Sequence, residues 1–254
     1  MATYKKRGYK KSITQPETPD IAQESTTAEV FERLDTSASK TEEFVAKNQN
    51  IIIGFIGVVA LCVLSFLGYQ QFIQNPKEQE AINELNQAQY YFDMAVNSMN
   101  SDSLYLRALN GGDGKYGFLD IIENYSGTPA AKLATYSAGM SYLNLKEYKQ
   151  AIAYLDEFNA DDILLSALAK GAIGDAFAQI GQLEEAFDYY VQAAQVNENL
   201  FSTPKYLFKA ATLGASLGKN DQAVSYLKRI KTEFPASKEA ELVDVQIGRL
   251  ENRP

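Results

Sequence analysis

The polarity pattern changes character twice along the chain. Residues 51–69, IIIGFIGVVALCVLSFLGY, form one apolar run in which Ser65 is the clearly polar side chain, and its hydroxyl can bond back within a helix. At about 1.5 Å per residue this run reaches roughly 28 Å, close to the hydrocarbon thickness of a bilayer. A soluble core helix of that kind would be apolar on every face, in a chain whose other helices are amphipathic. The run therefore predicts a transmembrane helix. It starts fifty residues in, is too long for a cleaved signal, and no small-x-small site follows it. Cys62 follows Leu61 inside the run, which does not fit a lipid-modified cysteine, and reads as an apolar side chain. The expectation is a retained signal anchor.

Before the run, residues 1–38 predict a cytoplasmic arm. Its first 25 residues lack any hydrophobic period, contain Pro16 and Pro19, and predict disorder. Val30, Phe31, Leu34 and Ala38 make one apolar stripe behind a Thr26–Glu29 capping box, which predicts a short amphipathic helix over 27–37. Ser39 with Glu42 makes a second capping box, from which a juxtamembrane and transmembrane segment, 39–74, runs through Phe44 and Val45. Arg33, Lys40 and Lys47 precede the span closely, whereas Lys77 stands alone at similar distance after it. This asymmetry predicts a cytoplasmic N-terminus and an exported C-terminal part. The cluster Lys5, Lys6, Arg7, Lys10 and Lys11 adds to it, and suits either anionic lipid or ribosomal RNA.

After the run the period is helical. Asn75 can cap a new helix with Pro76 at its first position. Residues 76–254 are rich in Ala, Leu, Glu, Lys and Tyr, with no convincing alternation of the strand type. Three segments align with one another: AGMSYLNLKEYKQAIAYLDEF (138–158), IGDAFAQIGQLEEAFDYYVQA (173–193) and AATLGASLGKNDQAVSYLKRI (210–230). Gly139, Gly174 and Ala211 correspond, as do Ala151, Ala186 and Ala223, at offsets of 35 and then 37 residues. The extra two residues fall in the connection NENLFSTPK. Small residues at these places let two helices approach, while Leu155, Tyr190 and Leu227 supply bulk from the second helix. Tyr142 and Phe177 fill the gap between helices, but Gly214 stands there in the third segment and predicts a thinner core.

This pattern resembles the tetratricopeptide repeat, a helix-turn-helix unit of about 34 residues. The resemblance implies an all-α fold: a single transmembrane helix followed by an α-solenoid of antiparallel helix pairs. The units are 132–163, 167–198 and 204–235, the last closed by Pro235. A degenerate unit over 80–128, its first helix near 80–99, comes before them. A capping helix at 238–251, with Ser237 as its cap, comes after.

Composition removes most chemistry. There is no His and one Cys, which excludes His-based triads, His-ligated zinc, intramolecular disulfides and thiolate clusters. The net charge of −8 argues against nucleic acid as the main partner. GGDGKYG (111–117) contains G-x-G-x-x-G at Gly112, Gly114 and Gly117, but helical text flanks it. It also fails the phosphate-loop pattern, with Leu109 in place of the first glycine and Tyr116 after Lys115. A flexible helix connection is expected instead. Acidic pairs such as Asp161–Asp162 and Glu184–Glu185 sit in turns or first helical turns, where they favour the helix dipole. No catalytic residue, cofactor or metal site is expected, so the chain is not expected to be an enzyme.

The first helices of a solenoid line its concave groove. Projected from the repeat register, the groove residues are Leu133, Tyr136, Met140, Leu143, Asp175, Gln179, Phe208, Thr212 and Ser216. That surface reads as mixed, apolar and weakly acidic, suited to an extended peptide or a partner helix.

From about residue 40 onward the chain resembles the YfgM-type inner-membrane proteins of bacteria, in the version found in Bacteroidota. FLDIIENYSGTPAAKLA followed by SYLNLKEYKQAIAYL carries the resemblance most specifically. The resemblance implies a periplasmic repeat domain on a single-pass inner-membrane anchor. It further implies an accessory subunit of the SecYEG translocon, associated with a membrane-anchored chaperone of the PpiD type. The alternatives are an envelope-stress sensor signalling through the cytoplasmic arm, or a repeat scaffold for cell-envelope assembly.

Overall fold

A computed structural model describes residues 26–99, 101–159 and 162–251. The basic cluster at Lys5–Lys11 and the first 25 residues, for which the sequence predicts disorder, lie outside the described residues. The chain divides into two units at Ser65 and Phe66.

The first unit consists of α1 (Thr26–Tyr69), whose last turn belongs to the second. The two helices expected at 27–37 and from Ser39 are one uninterrupted helix. No Gly or Pro occurs between Thr26 and Ile53 to break it, and Ser and Thr are tolerated inside a helix that forms on both sides of them. Among the described residues, one helix is long and apolar enough to cross a membrane, and none of its apolar window is buried within the protein. Ile51, Phe55, Leu61, Leu64 and Phe66 are all at least half exposed.

After α1 comes a π-helical turn over Gln70–Gln74, in which the Asn75 N–H donates to the Gln70 carbonyl. Asn75 therefore does not cap a new helix. It has helical dihedrals, its side chain donates to Gln71 Oε1 at 3.1 Å, and α2 (Asn75–Val96) follows directly. Pro76 gives the reason: it has no N–H to donate and its ring needs room against the preceding turn, which the wider π turn provides.

α2 packs against α3 (Asp102–Asn110), α4 (Phe118–Asn124) and α5 (Pro129–Asn144). Ala81, Leu85, Ala88 and Tyr91 of α2 meet Leu109, Phe118 and Ile121 in one core cluster. The glycine loop between α3 and α4 is not a slack connection. Gly112 and Lys115 exchange backbone hydrogen bonds, and Asp113, with φ of 55°, accepts from the Tyr91 hydroxyl at 2.5 Å. Arg107 lies over the Tyr91 ring and pairs with Asp113 at 3.6 Å. A Cβ at Gly117 would lie 2.2 Å from the Leu109 carbonyl oxygen. An aspartate at the tip disfavours anions, so this loop is no phosphate cradle.

Three helix pairs follow: α5 with α6 (Tyr148–Glu157), α7 (Ile163–Gln179) with α8 (Leu183–Gln195), and α9 (Ser202–Ser216) with α10 (Asn220–Glu233). Each pair turns through a residue of positive φ, namely Lys146 (62°), Gly181 (80°) and Gly218 (77°), at equivalent repeat positions. In each turn the next N–H reaches back to the carbonyl of Tyr142, Phe177 or Gly214. Where the paired helices cross, Ala151, Ala186 and Ala223 are fully buried. A Cβ at Gly139 would lie 2.6 Å from Leu155 Cγ, and one at Gly174 2.7 Å from Tyr190 Cδ1. Tyr142 stacks on Tyr154, and Phe177 stacks on Tyr189 one period later, each with centroids 5.3 Å apart.

The third pair is not thinner at Gly214. Phe187 of α8, 4% exposed, fills the space, its Cε2 only 2.9 Å from where a Gly214 Cβ would be. Capping helix α11 (Ala240–Glu251) closes the unit, with Val243 fully buried and Ser237 Oγ accepting the Ala240 N–H at 3.2 Å.

Candidate partner-binding surface

The first helices of successive pairs, α5, α7 and α9, touch in order. Their common face is built around an absence of bulk. Gly171 of α7 lies against Tyr206 of α9 so closely that a Cβ there would be 2.0 Å from Tyr206 Cε1. Tyr136 of α5 is near enough to Tyr206 for the two phenols to interact electrostatically. Tyr206 is 3% exposed, and burial, then the charge of Asp175, pushes its phenol pKa up.

Asp175 sits at the centre of this face. Its carboxylate accepts from the Tyr190 hydroxyl at 2.6 Å and from Lys209 Nζ at 2.5 and 2.8 Å. Lys209 also lies over the Tyr190 ring, 5.2 Å from its centroid. Burial, reinforced by the bond to Asp175, holds the Tyr190 phenol well above the ordinary tyrosine range. This ion pair is more than a third exposed on the aspartate side, so its own stabilisation is modest, about 1 kcal/mol or less. It does change the charge of the face. The weakly acidic character read from Asp175 is cancelled by Lys209, and Lys205 adds a positive charge over the Tyr206 ring.

Apart from Asp175, the projected groove residues separate into three groups. Leu133, Gln179, Thr212 and Ser216 are exposed. Tyr136, Met140 and Leu143 are partly buried against Leu155 and Ile173, and Tyr136 packs on Phe158. Phe208 is partly buried in the C-terminal core. Thr212 and Ser216 come together with Gln246 and Arg249 of α11 around a cavity of about 200 Å³. Lys205, Lys209, Tyr206 and Gly171 escaped the sequence projection. The last two belong to a contact between neighbouring units, which the internal register of one unit does not report. Lys209 carries a signal that could have found it: it lies on α9 one turn before Leu213, facing the only carboxylate of α7.

No three Asp, Glu, Cys or His side chains converge among the described residues. The face offers hydrogen-bonding groups, aromatic edges and a few aliphatic side chains on a rigid helical support. Such a surface suits an extended peptide or a helix, the occupants that solenoid faces take.

The tetratricopeptide repeat family matches residues 134–158 and 167–200. These are α5 with α6 and α7 with α8. The two matched helix pairs are tetratricopeptide repeats, and the repeat domain is an all-α solenoid of the kind that serves protein–protein interaction. No curated protein matches the chain.

Proposed function

We propose that this chain is a membrane-anchored scaffold at the exit of a protein-export channel. In this reading α1 crosses the inner membrane with its N-terminus in the cytoplasm, and the repeats stand in the periplasm. There they hold a membrane-anchored chaperone of the PpiD type beside SecYEG, assisting chains that leave it. The observation that carries it is the pairing of a wholly unburied apolar helix with tetratricopeptide repeats. A tether confines the repeats to the membrane surface, which raises the effective concentration of any partner anchored there. Weak contacts from a mixed face, such as that around Leu133, Gln179 and Lys205, then suffice.

The test is affinity purification of the tagged full-length chain in several mild detergents, with the co-purifying proteins identified. Channel subunits and the chaperone should both be recovered. Their absence in every detergent would remove the translocon reading and leave the interaction scaffold. Deleting residues 2–38 separates this reading from a sensor: a scaffold keeps its exported partners, whereas a sensor loses its output. Orientation is read by adding protease to spheroplasts, which should digest the repeats and spare the N-terminus.

A further inference from the structure

The uncharged part of the chain does not stop where the apolar run does. Residues 48–76 carry no charged side chain, so Lys77 is the first charge after the span. Inside this stretch the π turn Gln70–Gln74 displays two apolar side chains. Phe72 is 81% exposed and Ile73 54% exposed, and neither joins a core cluster. In water both would oppose the hydrophobic effect while adding nothing to the packing of the repeats. The amides around them are partly engaged close by. Gln74 Nε2 donates to the Tyr69 hydroxyl at 3.1 Å, and Asn75 Nδ2 donates to Gln71 Oε1 at 3.1 Å. Such bonds lower the cost of bringing amides to the edge of a hydrocarbon layer. As a helix, residues 51–73 reach roughly 34 Å, which an ordinary tilt fits to a layer of about 30 Å.

The next turn of helix decides where the repeats lie. Lys77 stands about 6 Å beyond Ile73 along the axis, within the depth of a headgroup layer. Its Nζ donates to the Ser126 carbonyl at 3.3 Å, and Glu78 Oε2 accepts the Ala130 N–H at 3.4 Å. Two side chains at the start of α2 therefore hold the turn between α4 and α5. That turn is fixed from the domain side as well: the buried Thr128 hydroxyl donates to the Tyr125 carbonyl at 2.7 Å and accepts the Ala131 N–H at 3.1 Å. Ser126 and Gly127 at its tip are exposed. We infer that the repeat domain is seated on the bilayer, with Phe72 and Ile73 in the lipid and the α4–α5 turn among the headgroups. The inference rests on α1 crossing a membrane, as proposed above.

The order of residues favours lipid over a protein partner at this surface. Phe72 and Ile73 continue the apolar run without a charge or a helix break between, and exposed apolar surface gives way to Lys77 and Glu78 directly after Pro76. An apolar run, then a tyrosine with amides, then charge is the sequence of a helix leaving a bilayer. A docking patch for a protein would need no such order. Tyr90, further along α2, is 56% exposed too, but it stands about 20 Å beyond Lys77 and so outside a headgroup layer.

The experiment uses full-length chains carrying Cys62→Ser, which removes the one native thiol, and one of Val58→Cys, Phe72→Cys, Ser126→Cys or Tyr90→Cys. Each is labelled with bimane and reconstituted into vesicles of phosphatidylethanolamine and phosphatidylglycerol. The vesicles contain lipid with a nitroxide either on the headgroup or in the acyl chain. Acyl-chain nitroxide should quench the probes at 58 and 72 and spare those at 126 and 90. Headgroup nitroxide should quench the probe at 126 at least about threefold more than the probe at 90, since one lies within the headgroup layer and the other beyond it. A probe at 126 quenched no more than the probe at 90 would overturn the seating. A probe at 72 that escapes acyl-chain quenching while 58 is quenched would overturn the entry of Phe72 into lipid. Should 58 escape as well, α1 does not cross the bilayer, and the reading beneath the inference fails with it. Because bimane is itself apolar, a photocrosslinker at position 72 in native membranes gives a second measure. It should capture lipid, and capture of protein without lipid would overturn the inference.

Discussion

Substituting Gly171 by alanine sets two effects of opposite sign against each other. In a helix interior alanine is favoured over glycine by about 0.8–1 kcal/mol. The new methyl would however lie 2.0, 2.1 and 2.3 Å from Cε1, Cζ and Oη of Tyr206. That ring is 3% exposed and cannot swing into solvent without emptying its site. Overpacking of this kind costs about 1–3 kcal/mol. The expected net result is a loss of up to about 2 kcal/mol. Gly248 of α11 supplies the reference, because a Cβ there meets nothing within 4 Å. Gly248→Ala should leave only the propensity effect and stabilise by up to about 1 kcal/mol. Urea unfolding of the full chain in detergent reads both, followed by far-UV ellipticity, since the chain has no Trp. Tyr206→Leu should abolish the Gly171→Ala penalty in a double-mutant cycle. Equal effects at the two glycines, or a penalty that survives Tyr206→Leu, would refute the close approach of α7 and α9.

Two further outcomes follow from the turns and the tyrosines. Lys146 holds a positive φ where the other two units have glycine. Lys146→Gly should therefore stabilise by roughly 0.5–1 kcal/mol and Gly181→Ala should destabilise by a similar amount, both read from the urea midpoint. Burial raises the Tyr190 and Tyr206 phenols above the ordinary value of 10.0. The unfolded chain then loses these protons before the folded one, so their contribution is intact below about pH 10 and shrinks as pH rises, by about 1.4 kcal/mol per pH unit each. Tyr190→Phe should make the alkaline loss shallower by one such increment, measured by urea unfolding between about pH 9 and 11.

The parts of the fold legible in the sequence are those where geometry forces a residue type at a fixed period. Gly139, Gly174, Ala151, Ala186 and Ala223 sit at helix crossings that admit no bulk, and that need recurs with every unit. The apolar run was equally plain, because a window of this length has few alternatives. Local signals misled where a longer-range preference overrode them. The Ser39–Glu42 capping box marked a break that α1 does not have, because an uninterrupted helix on both sides outweighs a cap. Asn75–Pro76 marked a new start, but a π turn absorbs the proline instead. The candidate surface was legible only as a register. Its position on α5, α7 and α9 follows from the period, whereas the Asp175–Lys209 pair and the Gly171–Tyr206 contact join different units.

The third unit shows how such a contact rewrites the energetics of a repeat. Gly214 occupies the position of Tyr142 and Phe177, so the aromatic pair of the earlier units cannot form there. Phe187 takes the space from the preceding helix, packs on Tyr226 with centroids 6.3 Å apart, and carries Lys219 Nζ 4.0 Å above its ring. One ring thus serves two units, and no neighbour stands ready to replace it. Phe187→Ala should cost about 3–5 kcal/mol, the range for truncating a buried aromatic. Gly214→Phe alone should also destabilise, since even its Cβ would meet Phe187. Together the two substitutions return an aromatic to the ordinary repeat position and vacate the space it needs. The double variant should therefore be more stable than the sum of the single losses requires, by at least about 1 kcal/mol. Simple additivity in urea unfolding would mean that the two positions do not share one volume, and that Phe187 is not the substitute for the missing side chain of α9.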